Sequence, residues 1–171
     1  MQGYFFQIRE KIMNKLLRTA AAIGVGLAIV STTAVADGHD KAAAAAVGAR
    51  SAQMGLVAYH TGILGGMAGG KVPYDAEVAK AAATNLHAAA SLARVTMWVA
   101  GTEQGAVPGS RAKAEIWSDA AGFEEKFAML EKASADMIDA AGTDLDSLKA
   151  GMGAVGGTCK ACHEAYRGPR N

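Results

Sequence analysis

The stretch GGTCKACHEAYR, residues 156–167, holds both cysteines of the chain, Cys159 and Cys162, with His163 directly after the second. A helix turns about 100° per residue, which sets Cys162 at about −60° and His163 at about +40° from Cys159. Two thiols and an imidazole therefore share one arc. C-x-x-C-H is the attachment signature for c-type haem. The thiols add to the two vinyl groups, and the next residue can bring a ring nitrogen to the iron. Other chemistries fit less well. A redox C-x-x-C wants a βαβ setting, structural zinc wants four ligands, and a simple disulfide leaves His163 without a role.

The elements that must position this arc are helical. After residue 36 the chain is rich in Ala, Met, Leu, Lys and Glu, all good helix formers. Breaks at GGKVPYD, GTEQGAVPGS and AGTD divide it into four stretches, about 41–67, 75–99, 114–141 and 144–166. Asp75 is placed to cap the second, and Thr143 with Asp146 resembles a capping box for the fourth. Ile116, Ala120, Phe123, Phe127, Leu130, Ser134 and Met137 step by threes and fours along the third. Leu145, Leu148, Met152, Val155, Cys159, Cys162 and Tyr166 do so along the fourth. That alternation is the inward seam of a bundle. Short connections favour antiparallel neighbours, so the expected fold is all-α, an up-down-up-down four-helix bundle with covalent haem near the C-terminal helix.

The start of the chain is expected to leave. Arg9, Lys11, Lys15 and Arg18 precede the apolar run Ala20 to Val30, and Ala34-Val35-Ala36 is a small-x-small cleavage pattern. Together these read as a secretory signal over residues 1–36, cleaved after Ala36, with residues 37–171 as the domain. Met13 could equally be the start, since MNKLLRT already supplies a basic region. The apolar run is short for a membrane span, and no second one follows. The domain keeps 13 basic against 15 acidic residues, with no basic stripe for nucleic acid. The expected location is the periplasm.

With the haem motif in the last of four helices, the domain resembles the class II c-type cytochromes, the group that contains cytochrome c′. KVPYD, AEIWSDAAGF and GGTCKACHEAYR carry the resemblance across the whole domain. It implies one covalent haem c, with Cys159 and Cys162 as thioether tethers and His163 as axial iron ligand. It also implies that the first helix supplies the far face of the haem. Arg50 matches the residue that reaches a propionate, and Met54, four residues on, matches the side chain over the iron. Trp98 matches an aromatic packed on that face, and Arg167 a basic residue near the proximal histidine. Where the Met54 position only crowds the iron, the haem stays five-coordinate and admits NO or CO. Where Met binds, the site closes and suits electron transfer. Spacing leaves both outcomes open, because thioethers also serve as core filling.

No paired carboxylates or nucleophile–base pattern suggest an enzyme. The leading expectation is a one-electron carrier working with redox partner proteins, and the alternative is a gas-binding cytochrome. Gly48, Gly55, Gly62 and Gly69 recur at sevens, a smooth stripe for a second helix. The resemblance implies a homodimer through the first two helices. His60 and His87 match no ligand position. Cleavage after Ala36 would leave Asp37-Gly38-His39 in front, a spacing that can enclose Cu(II) or Ni(II) in a square plane and that also arises by chance in tails.

Overall fold

The computed structural model describes residues 31–170, and the chain divides into a unit Met1–Lys41 and a compact unit Ala42–Asn171. The basic opening and the apolar run of the expected signal lie outside the described residues. Five helices follow in order: α1 (Ser31–Ala68), α2 (Ala76–Ala90), α3 (Glu115–Ser118), α4 (Ala120–Thr143) and α5 (Leu145–Tyr166). The long ones form the four-helix bundle, and α3 is a single turn leading into α4. Among the described residues no helix is long and apolar enough to cross a membrane.

Local chemistry sets the ends. α1 stops where Gly70 adopts φ 69°, and Lys71 N–H returns to the Gly66 carbonyl at 2.8 Å. A left-handed residue there is cheap only for glycine. Asp75 caps α2 as expected, its carboxylate accepting from the Glu77 and Val78 amides at 3.0 Å each. The cap of α5 differs from expectation. Asp144, not Thr143, accepts from the Ser147 amide at 2.7 Å, while the Thr143 hydroxyl donates back to the Asp139 carbonyl within α4.

Three helix extents also need correction, the first being α1, which begins at Ser31 and not near residue 41. The second stretch does not run to Val99: α2 ends at Ala90, and residues 91–99 form turns. Val95, Thr96 and Val99 are β-branched and weaken helix propagation there. Tertiary bonds complete the break. Arg94 reaches sideways to Glu124 on α4 at 2.7 Å and to Glu131 at 2.7 Å. The third stretch is interrupted at Asp119, whose backbone (φ −124°, ψ 54°) is not helical. Its carboxylate accepts from the Gly122 amide at 3.2 Å and from the Tyr166 hydroxyl at 2.6 Å. A Cβ on Gly122 would stand 2.6 Å from the Tyr166 oxygen, so this crossing needs glycine.

The seams pack as their spacing requires. Leu64, Leu86, Met137, Leu148 and Val155 are fully buried in one cluster fed by α1, α2, α4 and α5. Burying such a side chain is worth about 1.5–3 kcal/mol. Gln53 donates from α1 to the Ala89 carbonyl at 3.0 Å, locking α1 to the end of α2. A second cluster holds Ala112, Ile116, Phe123, Phe127 and Tyr166, with Met54, Trp98 and Cys162 against it. Ala120 is the one member of the third seam that faces solvent.

Candidate haem site

The second cluster surrounds a cavity of about 620 Å³, within the range of small-molecule and cofactor sites. Six of the residues expected at the haem line it: Arg50, Met54, Trp98, Cys159, Cys162 and His163. α5 supplies the two thiols and the imidazole one turn apart, and α1 supplies Arg50 and Met54 one turn apart. Arg167 lines the cavity too, while His60 and His87 do not. His87 instead pairs its Nδ1 with the Ser134 hydroxyl at 3.1 Å.

The loop between α2 and α3 closes one side. Gly101, Gly105 and Gly109 take φ values of 80°, 95° and 80°, and these let the loop fold tightly. Its end pairs with the end of α5: Lys113 N–H donates to the Tyr166 carbonyl at 3.0 Å and Gly168 N–H to the Arg111 carbonyl at 2.8 Å. Lys113 Nζ donates to the Glu164 carbonyl at 2.9 Å, a cation where a helix C-terminus favours one. The segment that carries His163 is thereby held at its far end by the loop.

The aromatic wall is a chain of edge-to-face contacts. Phe123 lies 4.8 Å from Trp98, 5.1 Å from Phe127 and 5.4 Å from Tyr166 between ring centroids. Trp98 is oriented further by its carbonyl, which accepts from Trp117 Nε1 at 3.0 Å. Phe123, Phe127 and Tyr166 were legible only as seam residues, and Arg111, which also lines the cavity, carried no sequence signal.

The electrostatics are one-sided. The ionisable lining residues are Arg50, Arg111, Arg167, His163, Tyr166 and the two cysteines, with no carboxylate among them. Arg50 is 4% exposed. It donates to the Thr102 hydroxyl at 2.6 Å, the Thr102 carbonyl at 2.5 Å and the Ser110 hydroxyl at 2.7 Å, all neutral. Burial pulls its guanidinium below the ordinary arginine range. A buried cation without a counter-charge is costly. Trp98 Nε1, on the same cavity, is a buried donor with no partner. Both features suit an apolar group that carries its own carboxylates.

The remaining donors fit the same group. Cys159 and Cys162 are free thiols, and burial raises both above the usual thiol range. Burial, then Arg167 and Arg111, push His163 below the usual imidazole range. Its ring is neutral near pH 7 and keeps a lone pair for a metal. Among the described residues no cluster of three His, Cys, Asp or Glu could hold a bare metal ion. One histidine beside two thiols, in an apolar cavity with unpaired cations, fits haem c.

Known proteins agree. Residues 45–167 match the family model described as Cytochrome C'. Over 118 residues the chain is 45% identical to cytochrome c-554 of Cereibacter sphaeroides, covering 69% of this chain and 89% of that one. Among solved structures, a cytochrome c′ from Rhodobacter sphaeroides superposes with a TM-score of 0.73 at 41% identity, covering 75% of this chain and 98% of that one. A nitric oxide complex of a cytochrome c prime variant from Alcaligenes xylosoxidans superposes with a TM-score of 0.65 at 38% identity, covering 73% and 94%. A carbon-monoxide-bound variant of the same protein gives a TM-score of 0.64 at 38% identity, covering 72% and 94%. The hollow end of this bundle is built for a covalent haem c, and the chain belongs to the cytochrome c′ family of class II c-type cytochromes.

Proposed function

We propose that this cytochrome binds small uncharged gases, NO or CO, on the haem face covered by α1, and holds one electron on the iron. Cys159 and Cys162 tether the haem, and His163 is its axial ligand. Arg50 meets a propionate, and Trp98 packs the distal side. The observation that carries this reading is the α1 wall beyond Arg50, where the Ser51 and Thr61 hydroxyls are tied back to the Val47 and Val57 carbonyls and Val57, Ala58 and Gly62 leave Met54 as the one soft donor of that wall. Apolar walls admit uncharged diatomics and exclude anions. The haem supplies an iron whose remaining position is open or closed according to what Met54 does. The solved relatives in complex with NO and CO support this use over the carrier expected first from the sequence. The protein acts as a binder, without an enzymatic step.

The carrier reading keeps one specific support, the Met54 thioether on the cavity. If its sulfur takes the iron, the site is closed and the protein passes electrons to redox partners. Optical spectra in both redox states, with and without CO, separate the two. Gas binding predicts a broad high-spin ferrous spectrum that sharpens with CO in the wild type and in Met54→Leu alike. A sharp ferrous spectrum indifferent to CO, converted to a CO-sensitive one by Met54→Leu, would overturn it in favour of the carrier.

The same proposal includes export to the periplasm, with cleavage after Ala36, and a homodimer through α1 and α2. Gly48 and Gly55 have open space where a Cβ would stand, and Leu56 and Tyr59 nearby are 49% and 65% exposed, whereas Gly62 faces the haem cavity. Gly69 belongs to the turn after α1, not to that stripe. Sedimentation should find a dimer that Tyr59→Glu dissociates.

A further inference from the structure

We propose that the processed protein carries a second metal site at its amino terminus, a square-planar Cu(II) or Ni(II) chelate made by Asp37, Gly38 and His39. This rests on the cleavage after Ala36 proposed above. The four donors are the new α-amine of Asp37, the amide nitrogens of Gly38 and His39, and the His39 imidazole. Successive donors close small chelate rings, and four nitrogens in a plane suit Cu(II) and Ni(II). The divalent ion displaces both amide protons and any proton on the amine. The two amidate charges then balance the metal.

The helix makes those amides available. In an α-helix each N–H bonds the carbonyl four residues earlier. Within Ser31–Ala68 the amides of residues 37–40 therefore depend on carbonyls of residues 33–36. Cleavage removes those carbonyls and leaves four orphan donors at the new end. The chelate uses three of these nitrogens, the Asp37 amine and the Gly38 and His39 amides, so no intrahelical N–H bond is lost in deprotonating them. The segment must also leave the helix to wrap the ion, which costs only the bonds that the carbonyls of residues 37–39 accept within Ser31–Ala68. Gly38 and His39 are exposed, a Cβ on Gly38 would meet nothing within 4 Å, and from Gly38 onward the first buried side chain is Ala43. Terminal turns of this kind fray at little cost.

Competition within the chain is weak. Of the four histidines, only His39 is exposed. His163 lines the haem cavity, His87 is bonded to Ser134, and Nδ1 of His60 is buried.

The test uses the exported haem protein, its first residue read by intact mass, titrated with Cu(II) and followed by electron paramagnetic resonance. One copper per chain should bind with an axial signal split by four nitrogens. His39→Ala, Gly38→Pro (which removes one amide N–H) and a single Ala added before Asp37 should each abolish that signal. The haem spectrum should be unchanged in all three. A mass that starts elsewhere than Asp37 overturns the cleavage reading and the site with it. A chain that starts at Asp37 and shows no such signal, or keeps it in Gly38→Pro, overturns the site alone.

Discussion

The two ends of the bundle are built on the same seams and reach opposite results. At one end Leu64, Met137, Leu148 and Val155 pack with Leu86 and the buried alanines of α2 into one fully buried cluster. At the other end Phe123, Phe127, Trp98 and Tyr166 meet edge to face and leave about 620 Å³ between α1 and α5. α5 runs through both, with Leu148 and Val155 in the solid end and Cys162 and Tyr166 in the hollow one. What differs is the size match across the seam. Small residues let facing helices close at the solid end. Bulky, rigid rings hold them apart at the other. Haem completes the hollow core, so stability at that end depends on the cofactor and stability at the solid end does not.

Removing the tethers tests this most severely. Cys159→Ser with Cys162→Ser should abolish covalent haem absorbance in denaturant. Amide exchange should then lose protection around Trp98 and Phe123 while Leu86 and Leu148 keep theirs. Uniform loss along the chain would show that the ends are not separable. Next in size, Leu148→Ala should cost about 2–5 kcal/mol in urea unfolding, as large-to-small changes in close-packed cores do. Its haem spectrum should match the wild type. A shifted spectrum would mean that packing at the solid end sets the cavity.

The same contrast governs what could be read in the sequence. The solid end was legible because period alone specifies it: Leu145, Leu148, Met152 and Val155 declare their face without reference to any partner. Cys159, Cys162 and His163 were legible because covalent chemistry requires adjacent residues. The distal wall is assembled from distant segments, and only resemblance pointed to Arg50, Met54 and Trp98. Trp98 was assigned to a helix, yet it sits in turns after α2. The side-chain bonds of Arg94 that divert that segment join residues 30 and 37 positions apart. Arg111 likewise faces the cavity through loop pairing with Gly168, and no local pattern announces such a contact.

Arg94 offers a finer probe of the hollow end. Its guanidinium pairs with Glu124 and Glu131 and lies 4.6 Å from the centroid of Phe127, a cavity residue. Glu124 is half-exposed, so solvent screening limits the ion pairs. Arg94→Ala should cost only about 1 kcal/mol. The ring it holds should become freer, and CO association, followed by flash photolysis, should change rate. An unchanged rate would confine Arg94 to stability.

The smallest effect expected is a pH dependence confined to the hollow end. The Tyr166 hydroxyl donates to Asp119 at 2.6 Å, and that bond, followed by burial, pushes its pKa up to about 12 from an ordinary value of 10.0. Asp119 moves the opposite way, held below the usual carboxylate range first by Tyr166 and then by the Gly122 amide. The folded state thus keeps the tyrosine proton more tightly than the unfolded chain does. The contribution of Tyr166 is complete below pH 10 and is lost as pH rises toward about 12. That of Asp119 is present above the ordinary carboxylate value and fades as pH falls through its lowered one. Tyr166→Phe should therefore remove the alkaline decline and reduce the acid one, leaving what the Gly122 amide and Lys126 contribute. Urea midpoints measured across pH for both proteins would show it. A decline between pH 10 and 12 equal in the two would place the titrating group elsewhere in the bundle.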